Sequence, residues 1–208
     1  MDRRLRLLAE GARGFMPPAE GLALYRSALV GSRVGPIVEL GTYCGKSAVY
    51  LGAAARETGS VVFTIDHHRG SEEMQAGWDH HDESLVDSAT GLMDSLPEFR
   101  GLVDRAGLGD VVIGILGDTV TVGRFWGAGV GMVFIDGGHG AEPAHRDYET
   151  WAPRVLAGGV LAIHDVFPDP ADGGRPPHEI YLRALDSGMF EETAAEGSLR
   201  ILTRSARG

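Results

Sequence analysis

"GPIVELGTYCGKSAVYLGAAARETG", residues 35–59, changes character twice. Its first part, "GPIVELG" (35–41), is a short apolar run bounded by glycine, the pattern of a buried strand. Its last part, "KSAVYLGAAARETG" (46–59), is alanine-rich and stops at Gly59, as a helix does. Between them stand Gly41 and Gly45. Glycine lets a backbone turn tightly and come close to a ligand. A strand, a glycine turn and a helix in this order form the first half of a βαβ unit.

The same alternation continues outward. "VVFTID" (61–66), "VVIGILGD" (111–118), "GMVFID" (131–136) and "GGVLAIHD" (158–165) read as further strands. Helices are expected at 17–30, from about 85 to Gly107, at 141–156 and at 176–188. "MFEETAAEGSLRILTR" (189–204) alternates and turns at Gly197-Ser198, which predicts an antiparallel hairpin. The expected fold is therefore α/β: a doubly wound, mostly parallel seven-stranded sheet closed by a C-terminal hairpin. The chain, 1–208, reads as one domain, with 1–34 as a helical cap and 67–90 as a lid segment.

In parallel sheets ligands bind beyond the carboxyl ends of the strands. Those ends are Glu39-Leu40-Gly41, Asp66-His67, Gly117-Asp118, Asp136 with His139, and His164-Asp165. Every strand finishes in an acid, a histidine or a glycine. Five such ends on one edge describe a site.

Composition narrows the partners. The net charge of −10 argues against nucleic acid, whose phosphates need a basic stripe. The lone Cys44 excludes an internal disulfide and fits a reducing cytoplasm. The start, "MDRRLRLLAEGARGF", lacks the apolar core of a signal peptide. No apolar run reaches the roughly 18 residues of a membrane span. A cytoplasmic protein without a membrane partner is expected. The apolar surface of helix 17–30 is compatible with a homodimer.

The glycine turn fits a nucleoside. Asp66, about 25 residues beyond Gly41, stands where an acid can grip two ribose hydroxyls. The G-x-x-x-G spacing and the terminal hairpin both speak against a dinucleotide fold.

With "VELGTYCGKSAVYL", "AGLGDVVIGILGD", "GMVFIDGGHG" and "GGVLAIHDV" in hand, the chain resembles the class I S-adenosylmethionine-dependent methyltransferases over residues 35–167. It looks most like metal-dependent O-methyltransferases of the catechol O-methyltransferase kind. It is also similar to actinobacterial enzymes that methylate mannose-based polysaccharides, including 1-O-methylation of methylmannosides. The resemblance implies that Gly41, Tyr43 and Ser47 line the methionine part of the cofactor. Asp66, with His67 beside it, would hold the ribose, and Asp118 with Thr119 would flank the adenine. Glu39 would orient the loop or face the sulfonium side. Asp136 would stand next to the cofactor's methyl group.

Methyl transfer to oxygen needs an aligned acceptor and a place for its proton. A divalent cation helps with both. Asp136, His164 and Asp165 are the expected ligands, Mg²⁺ or Mn²⁺ the expected ion. The family more often has two acids, or an acid and an amide, where this chain has His164-Asp165. Imidazole shifts preference from Mg²⁺ toward transition metals. Successive strand residues point to opposite faces, so both reach one ion only if the strand bends there. Otherwise His164 stands beside the metal. His139 takes the place of the family's catalytic lysine and is the expected base, with an ordinary pKa near ~6.5.

The polar segment 67–84 would cover the acceptor. Trp78 would stack on a sugar face, and His67, His68 or Arg69 would bind hydroxyls. The resulting expectation is a small polyhydroxylated acceptor, a carbohydrate such as a methylmannoside. The alternatives are a catechol or phenol, and a cofactor-binding relative that does not methylate.

Overall fold

The computed structural model describes residues 1–75, 77, 78, 81–138, 140–169 and 175–206. Seven strands form one sheet: β1 (Ile37–Leu40), β2 (Val62–Asp66), β3 (Val112–Leu116), β4 (Val130–Ile135), β5 (Val155–Ile163), β6 (Phe190–Glu196) and β7 (Leu199–Arg204). Their order is β3-β2-β1-β4-β5-β7-β6. The first five are parallel, and β7 runs antiparallel between β5 and β6. The chain winds outward from β1 to β3 and then returns to β4. The reversal between β1 and β4 is where such sheets open a crevice.

Helices cover both faces. One face carries α1 (Arg3–Glu10), α2 (Pro18–Gly31), α3 (Lys46–Thr58) and α4 (Leu96–Ala106). The other is packed by α6 (Ala141–Trp151) and α7 (Arg175–Asp186), with the short α5 (Thr119–Phe125) at its edge. Strand residues alternate between the two cores: Met132 and Phe134 on one side, Val133 and Ile135 on the other. Burial on both faces explains why the parallel strands read as continuous apolar runs.

Several boundaries differ from expectation. The stretch from 86 to 95 is not helical, and only one 3₁₀ turn, Glu83–Leu85, precedes it. Asp87 accepts from the Ala89 N–H and the Thr90 hydroxyl to form a turn, and Val86 bridges Met93. The helix starts only at Leu96. Helix 141–156 stops at Trp151, one 3₁₀ turn follows at Ala152–Arg154, and β5 begins at Val155. Pro153 cannot donate the next helical hydrogen bond. Two helices had no bounds from the sequence, α1 within the expected helical cap 1–34 and α5 after β3. α1 is capped by Asp2, whose carboxylate accepts from Arg4 and Leu5 N–H groups. α5 is capped by Asp118.

The apolar face of α2 is spent inside the protomer, where Leu24, Tyr25 and Ala28 join the core. Among the described residues no helix is long and apolar enough to cross a membrane.

Candidate active site

Register sets the site. Leu40 pairs with Ile65 on one side and Ile135 on the other, and Ile135 pairs with Ile163. The residues one step further on, Gly41, Asp66, Asp136 and His164, therefore stand in a row at the carboxyl edge. Backbone bonds continue the ladder through them: Asp136 N–H donates to Leu40 C=O at 2.9 Å, and His164 N–H to Ile135 C=O at 3.1 Å. One cleft opens over this row. The turn after β1 contributes Gly41, Tyr43 and Ser47, and β2 contributes Asp66 and His67. Asp118 and Thr119 follow β3, while Asp136, His164 and Asp165 follow β4 and β5. His139 lies outside the described residues.

The glycine turn is held by Asp66. Its Oδ2 accepts from the N–H groups of Thr42 (2.7 Å) and Tyr43 (2.8 Å), and its Oδ1 from His68 N–H (2.6 Å). A carboxylate has about four acceptor positions, and three are engaged here. Tyr43 sits at φ 50° and Gly45 at φ 89°, so the turn needs left-handed backbone. Gly41, at φ 83°, touches the next loop: a Cβ there would overlap the Asp136 carbonyl and Gly137 Cα.

Glu39 does not reach the cleft. It is fully buried beneath the turn. Burial pushes its pKa up to about 7, against the pull of the nearby Ser47, Thr64 and Thr42 hydroxyls. Neither carboxylate oxygen has an aligned hydrogen-bond partner.

At the other end, Asp136, His164 and Asp165 bring one ligand atom each within 4.8 Å of one another. The bend that two successive ligands require is present. β5 ends at Ile163, and Asp165 takes φ 56°, left-handed and tolerated by aspartate. His164 Nδ1 thus lies 3.0 Å from Asp136 Oδ1 and 3.2 Å from Asp165 Oδ2. It is buried and aligned as a hydrogen-bond donor to neither. The opposite nitrogen, Nε2, lies 2.6 Å from Glu20 Oε2. Burial opposes a charge on His164, but the three carboxylates outweigh it and hold its pKa far above the ordinary value.

Some residues of the site were not foreseen. Glu20 is one. Asp147 of α6 is another: it is buried, lines the cleft and accepts from the Thr119 hydroxyl. Burial pushes its pKa up to about 6. Both acids sit on otherwise apolar helix stripes, Glu20 with Leu24, Ala28 and Gly31, Asp147 with Ala144, Tyr148 and Trp151. An acid in such a stripe is the signal that would have found them. The N-terminal cap also reaches the cleft. Arg13 pairs with Asp82 at 3.0 Å, and Phe15 stacks on Tyr43 at 5.9 Å.

The segment after β2 is partly different from expectation. His68 turns inward, with Nδ1 2.8 Å from Ser95 Oγ and its ring against Phe99. It is 3% exposed and unavailable to an acceptor. Arg69 donates to Met93 C=O. His67 lines the cleft, and Trp78 is exposed.

The three cofactor-bound or related folds that follow share this architecture. The O-methyltransferase NovP superposes with a TM-score of 0.67 at 15% identity, covering 90% of this chain and 80% of that one. TomG of Streptomyces achromogenes, an O-methyltransferase of tomaymycin synthesis solved with S-adenosylmethionine, gives 0.65 at 16%, covering 99% and 91%. PaMTH1 of Podospora anserina, solved with S-adenosylhomocysteine, gives 0.64 at 14%, covering 99% and 89%. At these identities the likeness is one of fold. A family profile described as "Methyltransferase domain" matches residues 38–166, from within β1 to just past Asp165. Because that match takes in more than half of the chain and every strand end of the cleft, this protein belongs to the methyltransferase domain family.

Proposed function

We propose that the chain is an S-adenosylmethionine-dependent O-methyltransferase assisted by a divalent cation. Its acceptor is a hydroxyl of a small polyhydroxylated molecule, a sugar of the methylmannoside kind. The observation that carries this reading is the Asp136, His164 and Asp165 cluster at one end of the cleft. The buried Nδ1 of His164 lies 3.0 Å from Asp136 Oδ1 and 3.2 Å from Asp165 Oδ2, and one imidazole with two carboxylates is a donor set that a divalent cation would take. Two carboxylates and an imidazole suit Mn²⁺ and also accept Mg²⁺.

In this reading Gly41, Tyr43 and Ser47 bind the methionine part of the cofactor. Asp66 and His67 hold the ribose, and Asp118 and Thr119 the adenine. A cation held there would lower the pKa of the acceptor hydroxyl and fix its position. S-adenosylmethionine would supply the methyl group, the oxygen–carbon bond forming as the carbon–sulfur bond breaks and neutral S-adenosylhomocysteine leaving. His139, three residues past Asp136, takes the acceptor proton. Segment 67–90 acts as the lid. Among the described lining residues the benzenoid rings are Phe15 and Tyr43, and they stack on each other. That leaves no opposed pair for a flat phenol and supports a carbohydrate.

The test is a panel of mannosides, other sugars and catechols, each assayed for S-adenosylhomocysteine with EDTA and with added Mg²⁺ or Mn²⁺. Metal-dependent methylation of a sugar is the expected result. Preferred turnover of a catechol would replace the acceptor class. Full activity in EDTA would remove the cation.

A further inference from the structure

The buried Glu20 belongs to α2, far in sequence from the strand ends, yet it touches His164 behind the cleft wall. Its Oε2 is 2.6 Å from His164 Nε2. Its Oε1 accepts from the Ser198 N–H at 2.6 Å and the Ser198 hydroxyl at 3.2 Å. Glu20 is 4% exposed and His164 5%. Ser198 is in the turn of the β6–β7 hairpin, and its carbonyl accepts from Val166 N–H at 2.9 Å, just past Asp165. The preceding Gly197 has φ 53°, and a Cβ there would overlap Glu20 Oε1. The hairpin turn, α2 and the end of β5 therefore close on one carboxylate.

We infer that Glu20 is a positioning residue for the cation site: it holds the Nε2–H of His164, so that Nδ1, its proton released as a cation binds, offers its lone pair beside Asp136 and Asp165. This rests on the cation reading above. The chemistry is that of an imidazole ligand whose second nitrogen donates to a carboxylate. Such a bond fixes the tautomer and the ring angle and makes the ligating nitrogen more basic. The arrangement also gives a purpose to two features that the cofactor does not need: an acid on the apolar stripe of α2, and a glycine at the hairpin turn. A purely structural ion pair would tie α2 to β5 equally well, so the test must read the metal itself.

Mn²⁺ is titrated into the full-length protein and followed by electron paramagnetic resonance. Electron spin echo modulation from directly bound ¹⁴N reports whether His164 is a ligand. Wild type is expected to bind Mn²⁺ with ¹⁴N modulation, and His164→Ala to lose the modulation. Glu20→Ala should bind Mn²⁺ about 10–100-fold more weakly, with weakened modulation, while its affinity for S-adenosylhomocysteine stays near wild type. Glu20→Gln should fall between, because its amide oxygen accepts the same hydrogen bond without the charge. Should Glu20→Ala fail to fold, Gly197→Ala and Glu20→Gln carry the comparison, and both should weaken Mn²⁺. Wild-type affinity and modulation in the Glu20 variants would overturn the positioning role and leave the cation reading intact. No Mn²⁺ uptake by wild type would overturn both.

Discussion

The two ends of the cleft are built by different means. At the cofactor end, the turn after β1 is shaped by backbone: three left-handed residues, Gly41, Tyr43 and Gly45, and one carboxylate, Asp66, fastening three N–H groups. All of this lies within about one βαβ unit. At the end where we propose a cation, Asp136, Asp165 and Glu20 meet on His164, and the β6–β7 turn reaches it only through Glu20. The partners there span nearly the whole chain. A local device tolerates drift elsewhere in the molecule. A convergent one depends on every element arriving in place. The cofactor end should therefore survive changes that disable the cation end, but not the reverse wherever the two touch.

They touch at Gly41, so Gly41→Ala is expected to do the most harm. The added methyl group meets backbone of the β4 loop, which cannot move aside as a side chain would. The left-handed φ adds strain of its own. We expect a loss of about 3 kcal/mol in denaturant unfolding, with binding of S-adenosylhomocysteine and Mn²⁺ both impaired. Retention of either ligand at wild-type affinity would break the comparison, because it would mean the two ends are not coupled through this contact.

Asp136→Asn comes next and should separate the ends. It removes one carboxylate charge beside His164 and leaves the turn after β1 unchanged. Turnover is expected to fall by about 100-fold or more, with S-adenosylhomocysteine affinity little altered by calorimetry. Equal losses in both would place Asp136 with the cofactor and not with the cation.

The same division explains what could be read from sequence. The strands were legible because a two-sided sheet needs unbroken apolar runs, as in "GMVFID", and the glycine turn because its constraint is local. The row Gly41, Asp66, Asp136 and His164 followed from counting strand ends. α5 was not legible: "TVTVGRF" is rich in β-branched residues, poor helix formers, and the helix relies on the Asp118 cap and on Thr119 contacts with Asp147 and Trp151. Glu20 was hidden for a related reason. Its partner His164 is 144 positions away, and nothing in periodicity pairs an acid in one stripe with a strand end so distant. His67 and His68 are neighbours, and composition could not say which one turns toward Ser95.

The variant expected to disturb ligand binding least concerns Asp147, and it tests whether the cofactor end also hides a charge that the fold tolerates at a cost. Burial pushes its pKa up to about 6, above the ordinary aspartate value of 3.8. The native state thus holds the proton more tightly than the unfolded chain does. Unfolding releases that proton between roughly pH 4 and pH 6, so the contribution of Asp147 to stability falls as pH rises through this window. Above about pH 6 the loss is complete and amounts to about 2–3 kcal/mol. Asparagine keeps the shape and can accept from the Thr119 hydroxyl without a charge to bury. Asp147→Asn should therefore match or exceed wild-type stability near pH 7.5 and lose that advantage near pH 4. The difference between the two proteins in urea unfolding, taken across this range, cancels the other titrating groups. A difference that stays flat would mean that Asp147 keeps an ordinary pKa, and that the cleft admits enough water around α6 to solvate it.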